Sequence, residues 1–321
     1  MRTRLPSHTR LCQPFVSVLA AALSSACAHA ATLYGVTSSQ LVSIDTTTGT
    51  TTAIGSLGLT RLDSSPVGTL VTPGPLAWNP SDQNLYGLAY DYTFVLSGGE
   101  PHPNISVINQ RFIRIDPTTG AATSIATLGT RSSNPTYDGI EYLGGSVGSL
   151  VVSRSSGAGN SSSTEIATLS TSGTLATLRT TSLDNDLLAQ AASASVLYSI
   201  DPNNATAAIR PRAIDLAPAT PTVTFLTGSL PSSTTGELAY DPEGDRLYAL
   251  DYTVLPTPNK SLYRIDTSGG TSLSLESTLT LSGSQVLGIA FATVPEPKDC
   301  LLGAGLALGL WSLVRRRSAT R

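Results

Sequence analysis

The 321-residue sequence predicts an all-β fold in which five similar four-stranded units close into a ring, a five-bladed β-propeller. Three observations predict it. The chain between its two ends is rich in Ser, Thr and Gly and poor in Lys and Glu, a composition that disfavours helices and suits short strands and turns. A pattern of strands recurs along the chain, and this pattern is incomplete at both of its ends.

The recurring unit contains an apolar strand, a polar turn, a Leu-Tyr strand, a strand ending in Ile-Asp, a Thr/Ser-Gly turn and a Thr-rich strand. The clearest copy runs from Glu237 to Leu275, and an earlier one runs from Leu76 to Ile125. Weaker copies begin near Ile140 and Leu188. The spacing, about 45 to 70 residues, is close to the blade size of propellers, and the second unit is predicted to carry an insertion from Thr93 to Asn109.

The two ends of the pattern complement each other. The first copy starts at Leu33-Tyr-Gly-Val36 without an opening strand, and a lone opening strand, Leu287 to Phe291, lies near the other end. Pairing them in one blade would close the ring and leave no open seam, which gives five blades. The pattern resembles the loose Leu-Tyr/Ile-Asp-x-x-Thr-Gly propeller repeats of exported bacterial proteins. A β-sandwich is the alternative, but it would not explain the divided unit.

Residues 1–30 are predicted to be a secretory signal peptide. A basic start is followed by an apolar stretch from Phe15 to Leu23 and by the small-x-small site Ala28-His29-Ala30, so that the mature chain would begin at Ala31. The alternative is a lipoprotein signal ending at Cys27. It would require an aliphatic residue at position 24, where the sequence has Ser24.

Residues 294–321 have the organisation of a sorting signal. They comprise the motif Val294-Pro295-Glu296-Pro297, an apolar run over 300–314 and a basic cluster, Arg315, Arg316 and Arg317. The run would make about 22 Å of transmembrane helix, short against a hydrocarbon core of about 30 Å, with the arginines on the cytoplasmic side. This order resembles the PEP-CTERM sorting signal of Gram-negative bacteria. The resemblance implies cleavage near Pro295, Glu296 and Pro297 by an exosortase, a membrane-embedded cysteine protease. An ordinary membrane anchor is the alternative, and it predicts an uncut protein.

The exported part, residues 31–293, has a composition that excludes several classes of function. It contains 11 Lys plus Arg against 20 Asp plus Glu, a net charge of −9, which argues against nucleic-acid binding. Its sequence has no cysteine, because Cys12, Cys27 and Cys300 lie in the two end segments, so a disulfide framework is excluded.

The Ile-Asp pairs are the most frequent polar feature of the repeats. Their carboxylates are Asp45, Asp116, Asp215 and Asp266. An aspartate at the start of a hairpin turn accepts the N–H groups of that turn, and the following glycine takes a positive φ, so we expect a structural role. Calcium binding is the functional alternative. The nearby Asp241-Pro-Glu-Gly-Asp245 fails as an EF-hand loop because its glycine is at the fourth place instead of the sixth.

Two further motifs carry little chemistry. Gly144-Gly-Ser-Val-Gly148 matches G-x-S-x-G in form, but an apolar strand follows it and no histidine occurs after His102, so we interpret it as a turn. His102 is the only histidine left after signal cleavage, and we expect it in a solvated loop of the insertion. Tyr90, Tyr92 and Phe94 beside it would either stack on a sugar or a partner, or belong to the core.

These observations predict a non-enzymatic protein with neither catalytic residues nor a cofactor. We expect transient anchoring in the inner membrane, then a structural or binding role at the cell surface or in the extracellular matrix, with exopolysaccharide or surface proteins as partners. One alternative is a propeller enzyme that acts on polysaccharide through paired carboxylates. The other is a calcium-stabilised adhesin.

Overall fold

In the computed structural model, the described residues form 20 β-strands and no helix. These residues are 31–60, 69–95, 104–130, 136–145, 147–156, 163–181, 187–191, 195–200, 211–226, 237–250, 260–265, 267, 273–280 and 285–293. The predicted signal peptide, 1–30, and the predicted sorting signal, 294–321, with its transmembrane helix, lie outside them. Within the described ranges, no helix has the length and apolar character needed to cross a membrane.

The strands form five antiparallel four-stranded sheets. The first blade contains β20 (Gly288–Thr293), β1 (Ala31–Val36), β2 (Gln40–Ile44) and β3 (Thr51–Ser56). The second contains β4 (Thr69–Asn79), β5 (Asn84–Val95), β6 (Asn104–Ile115) and β7 (Ala122–Thr130). The third contains β8 (Thr136–Leu143), β9 (Ser149–Ser156), β10 (Ser163–Leu169) and β11 (Leu175–Thr181). The fourth contains β12 (Leu187–Gln190), β13 (Val196–Ile200), β14 (Arg212–Asp215) and β15 (Thr222–Phe225). The fifth contains β16 (Leu238–Asp241), β17 (Arg246–Leu250), β18 (Lys260–Ile265) and β19 (Leu273–Leu279).

The last strand of the chain completes the first blade. β20 pairs with β1, and the N–H of Leu287 donates to the carbonyl of Val36 at 2.6 Å. The predicted five-bladed propeller with terminal closure is therefore confirmed, and the β-sandwich alternative is wrong because the strands form five separate sheets. β20 continues to Thr293, two residues beyond the predicted end at Phe291.

The insertion predicted from Thr93 to Asn109 is for the most part a longer hairpin. β5 continues to Val95 and β6 begins at Asn104, with Thr93 paired to Ser106. The inner strand β4 lengthens with them, since Val71 pairs with Asp91. Where it is described, the predicted insertion therefore takes the form of an extension of strands β5 and β6. Residues 96–103, with His102, lie outside the described residues.

The core consists of five apolar clusters, one between each pair of neighbouring blades. The Leu-Tyr signature explains this arrangement, because successive side chains of a strand point to opposite faces of the sheet. In the second blade, Leu85 joins the cluster shared with the first blade and Tyr86 joins the cluster shared with the third. Leu247 and Tyr248 divide in the same way between the two neighbours of the fifth blade.

The aspartates of the Ile-Asp pairs cap their own turns, as predicted. Asp45 Oδ1 accepts the N–H groups of Thr47 and Thr48 at 2.9 and 3.1 Å. Asp116 makes the equivalent bonds to Thr118 and Thr119, and Asp215 accepts the N–H of Ala217. The glycines that follow the first two aspartates have φ values of 70° and 76°. The turn interpretation is confirmed for these three aspartates, and Asp266 lies outside the described residues.

The two ends of the ring differ in their connections. One end carries the short hairpin turns encoded by the repeat, such as 80–83, 116–121 and 242–245. The connections that leave the other end are mostly longer, as between Ser56 and Thr69, Ile200 and Arg212, and Phe225 and Leu238. Binding residues concentrate in long connections on a rigid scaffold.

Candidate functional site at the central channel

Five inner strands surround the centre of the ring. β4, β8, β12, β16 and β20 are each the first strand of their sheet, so one edge of each has no strand partner and faces the centre. The N–H of Leu250 donates to Glu237 O, and the N–H of Ala191 donates to Val196 O. Antiparallel pairs alternate between bonded and non-bonded residues. Tyr240 lies three residues after the bonded Glu237, and Gln190 lies one residue before the bonded Ala191. Both are therefore non-bonded positions, and their N–H and C=O groups point to the centre.

Two residues depart from the repeat on adjacent inner strands. The middle position of the inner strand is a fully or almost fully buried alanine in four blades, namely Ala77, Ala189, Ala239 and Ala290. The third blade has Glu141 there. The next position is aromatic in four blades, namely Trp78, Tyr142, Tyr240 and Phe291, whereas the fourth blade has Gln190. Since β8 and β12 lie side by side, both polar residues meet at one seam.

The two polar side chains hold the backbone of Tyr142. Glu141 Oε1 accepts the N–H of Tyr142 at 2.7 Å, and its carboxyl also accepts the N–H of Gln190. With its side-chain amide turned so that both of its groups find partners, Gln190 donates to Tyr142 O at 2.5 Å and accepts the N–H of Gly144 at 3.2 Å. Both backbone groups of Tyr142 on the free edge of β8 are thereby bonded to side chains. In this network the polar groups of Glu141 and Gln190 satisfy peptide groups that a strand would otherwise satisfy.

The Glu141 carboxyl has an unusual protonation state. Burial raises the pKa of Glu141 to about 8, although the N–H bonds from Tyr142 and Gln190 act in the opposite direction. A carboxyl with this pKa is mostly protonated at neutral pH, so it can donate a hydrogen bond or release a proton. Among the described residues, Glu141 is the acidic residue on a channel-lining strand whose pKa is raised in this way.

A cleft of about 390 Å³ lies between the second and third blades, at the end of the ring with the short turns. It is lined by Asn79, Ser81, Asp82, Tyr142, Gly148, Ser149, Leu150, Leu169 and Thr171. The hydroxyls of Tyr142 and Ser81 are 3.2 Å apart, and Asp82 Oδ2 accepts the hydroxyl of Tyr86 at 2.6 Å. We call this site the Tyr142 cleft. Tyr142 is partly exposed there, as is Phe291 at the equivalent position of the first blade, whereas Trp78 and Tyr240 are 8% and 7% exposed.

A buried ion pair lies near the opposite end of the second blade. Arg111 Nη2 donates to Asp91 Oδ1 at 2.7 Å, and the two side chains are 2% and 0% exposed. Arg111 Nη1 donates to Thr60 O at 2.9 Å, and Asn109 Nδ2 donates to Asp91 Oδ2 at 3.2 Å. The Nε of Arg111 is buried without a partner. The pair thus fixes the connection after β3 to the second blade.

We expect Asp91→Asn to lower the free energy of unfolding by about 3 to 5 kcal/mol, because it leaves the guanidinium of Arg111 buried without its counter-charge. Urea denaturation followed by tryptophan fluorescence measures this change. The matched control is Glu276→Gln in the more exposed pair with Arg264, where the N–O distance is 3.5 Å. That substitution will cost less than about 1 kcal/mol. Equal effects of the two substitutions would contradict the structural role of the buried pair.

The predicted aromatic binding residues are only partly described. The Tyr90 ring packs against the cluster between the second and third blades, and its hydroxyl donates to Tyr137 O at 2.8 Å. Gln110 Oε1 accepts the N–H of Tyr137 at 3.0 Å, so two side chains of the second blade, Tyr90 and Gln110, hold the start of β8. This agrees with the core interpretation of Tyr90. The side chains of Tyr92 and Phe94 lie outside what the structure describes.

The remaining motif residues lie in turns. Residues 144–148 connect strands β8 and β9, so the strand-to-helix context of a nucleophile elbow is missing there, although Ser146 itself is not described. Asp241 Oδ1 accepts the N–H groups of Glu243 and Gly244, as in the other turns. The described ranges contain no group of three or more His, Cys, Asp or Glu that could hold a metal ion. Ala31, predicted to begin the mature chain, is the first residue of β1.

The sequence contained a signal for Glu141 and Gln190 that motif searching missed. When the five inner strands are aligned on Leu76, Ile140, Leu188, Leu238 and Ile289, each of the two residues is the single exception at its position. Asp91 and Arg111 have no comparable signal, because their partnership depends on the unusual length of the β5–β6 hairpin.

No family model and no curated protein matches the sequence. Among solved structures, TolB from Acinetobacter baumannii is similar over 90% of this chain and 74% of its own, with 14% identity and a TM-score of 0.42. The periplasmic gluconolactonase PpgL of Pseudomonas aeruginosa is similar over 78% of this chain and 68% of its own, with 15% identity and a TM-score of 0.39. An oligogalacturonate lyase in complex with manganese is similar over 75% of this chain and 61% of its own, with 14% identity and a TM-score of 0.38. Likenesses this distant identify no function for the chain.

Proposed function

We propose that this protein is an exported five-bladed propeller that an exosortase cuts at its C-terminal tail and that serves outside the cell in a structural or binding role. The observation that carries the proposal is the position of the ring closure. β20 ends at Thr293, one residue before the Val294-Pro-Glu-Pro297 motif. Cleavage at the motif would therefore remove no strand of the propeller.

The other end of the propeller supports the same proposal. β1 begins at Ala31, the residue that would follow signal cleavage, so this cut would also spare every strand. The backbone nitrogen of Ala31 lies 3.1 Å from Glu243 Oε2. After cleavage this nitrogen would be an ammonium group, and the carboxylate would then form an ion pair with it.

Intact mass spectrometry of the protein from its native host tests the proposal. We expect the mass of a chain that begins at Ala31 and ends within or next to the Pro295-Glu296-Pro297 motif, plus any attached lipid or glycan. Pro295→Ala together with Glu296→Gln should leave the tail uncut, whereas Pro242→Ala, in an exposed turn of the propeller, should not affect processing. A wild-type protein that keeps Arg315 to Arg317 would refute processing and favour an ordinary membrane anchor.

A propeller enzyme acting on polysaccharide is the second candidate, and Glu141 is the observation that favours it. A carboxyl whose pKa is about 8 can serve as a general acid at neutral pH. Glycoside hydrolysis requires a second carboxylate at about 5 to 10 Å, across the bond that is cut. Release of new reducing ends from polysaccharide by the wild type, but not by Glu141→Gln, would favour this candidate over a binding protein.

A further inference from the structure

The Tyr142 cleft combines one aromatic ring with several uncharged polar groups. Ser81, Ser149, Thr171 and Asn79, which carry hydroxyl or amide groups, line it together with Tyr142. Its lining contains one carboxylate, Asp82, and neither Lys nor Arg. The cleft is therefore polar and close to uncharged around its one ring.

We propose that the Tyr142 cleft binds an uncharged sugar unit of a polysaccharide. The proposal rests on the proposed binding role outside the cell and names its ligand class. The volume, about 390 Å³, lies at the lower end of the range of about 300 to 1,000 Å³ that is usual for small-molecule sites.

The chemistry of the lining distinguishes a neutral sugar from other ligands. An aromatic ring offers an apolar face on which the C–H face of a pyranose can pack, while hydroxyl, amide and carboxylate groups exchange hydrogen bonds with sugar hydroxyls. Uronic acids, sulfate and phosphate are usually bound by a cationic side chain or several N–H donors. This lining contains no Lys or Arg, and its carboxylate, Asp82, would repel an anion. Lipid chains are disfavoured because Leu150 and Leu169 are both fully buried behind the cleft surface.

The position of the ring depends on the network at the channel. Glu141 and Gln190 bond the N–H and the C=O of Tyr142, so they act as positioning residues for the cleft. At the equivalent position in other blades, Trp78 and Tyr240 are buried, and the partly exposed Phe291 packs against Tyr248 and the cluster between the fifth and first blades. This combination of an open ring and a fixed backbone explains why the two departures from the repeat occur next to this cleft.

Binding of neutral methyl glycosides and their oligomers to the full-length chain tests the proposal. The probes are the methyl glycosides of glucose, galactose and mannose, with glucuronate as the charged comparison. Isothermal titration calorimetry or ligand-observed NMR measures their binding. We expect saturable binding by at least one of the three, a loss of about tenfold or more in affinity for Tyr142→Ala, and a smaller loss for Tyr142→Phe, which keeps the ring. Tyr263→Ala, on the third strand of the fifth blade, is the matched control and should bind as the wild type does.

A second variant protects the test against misfolding. Thr171 is exposed in a turn, so Thr171→Arg should fold and block the cleft, while Thr47→Arg in an exposed turn of the first blade should leave binding intact. Absence of binding by all three neutral probes, binding of glucuronate alone, or an unchanged affinity in Thr171→Arg would overturn the proposal. A processed protein without sugar binding would refute this inference and leave the proposed export and processing standing. Sugar binding by a protein that keeps its tail would support this inference and refute the proposed processing.

Discussion

A chain that ends at Val286, before β20, will fail to form the cooperative propeller, whereas a chain that ends at Thr293 will unfold at the same temperature as the full-length protein. β20 is the inner strand of the first blade, and its Ile289 and Ala292 are completely buried. Its absence would expose the edge of β1 and open the apolar clusters on both sides of the blade. Thermal unfolding by circular dichroism measures the difference between the two truncations.

A point substitution isolates the packing part of this effect. Ile289→Ala should lower the free energy of unfolding by about 2 to 5 kcal/mol, because it leaves a cavity in the cluster between the fifth and first blades. Leu275→Ala is the matched control, since that side chain is 58% exposed, and it should change stability by less than about 0.5 kcal/mol. An unchanged transition in the chain that ends at Val286 would show that the ring does not need β20.

The fold was predictable because its determinants repeat locally. The Leu-Tyr pair places one apolar side chain in each of the two seams beside a blade, as Leu85 and Tyr86 do. Each Ile-Asp pair ends a strand and starts a turn, as Asp116 does. These rules involve neighbours in sequence, so they can be read without knowing the structure. The closing strand was predictable for the same reason, since Leu287 to Phe291 repeats the inner-strand pattern of the other blades.

The candidate site was harder to predict because its contacts join different blades. Tyr142 and Gln190 belong to separate repeats, and only the ring brings their strands together. The Asp91–Arg111 pair depends on how far β5 and β6 extend, and in the sequence that extension resembles an insertion between two ordinary strands. The exception at Glu141 was visible in the sequence. Its role was not, because the sequence does not show that the carboxyl reaches the N–H of Tyr142 on the free edge of β8.

The second large effect is a pH dependence caused by Glu141. The pKa of this carboxyl is about 8 in the folded protein against an ordinary value of 4.5, and burial is the main cause. Between these two values the folded state holds a proton that the unfolded state has released, so stability must fall as pH rises through this window. Each pH unit costs up to about 1.4 kcal/mol, and because Glu141 is only partly buried we expect a total loss of a few kcal/mol between about pH 5 and pH 8.

The turn aspartates act in a different pH range with the opposite sign. Hydrogen bonds from the hydroxyl and N–H of Thr118 lower the pKa of Asp116, so the stability it contributes is present above its ordinary value of 3.8 and is lost in acid. Urea denaturation from pH 4 to pH 9 should therefore show falling stability above about pH 5 in the wild type and in Asp116→Asn, but not in Glu141→Gln. Because the glutamine amide is neutral at every pH, this variant should also be the more stable protein at pH 8. A wild type and a Glu141→Gln variant with parallel pH profiles would mean that the carboxyl is ionised in the folded protein, and the channel would then hold a negative charge in place of a proton donor.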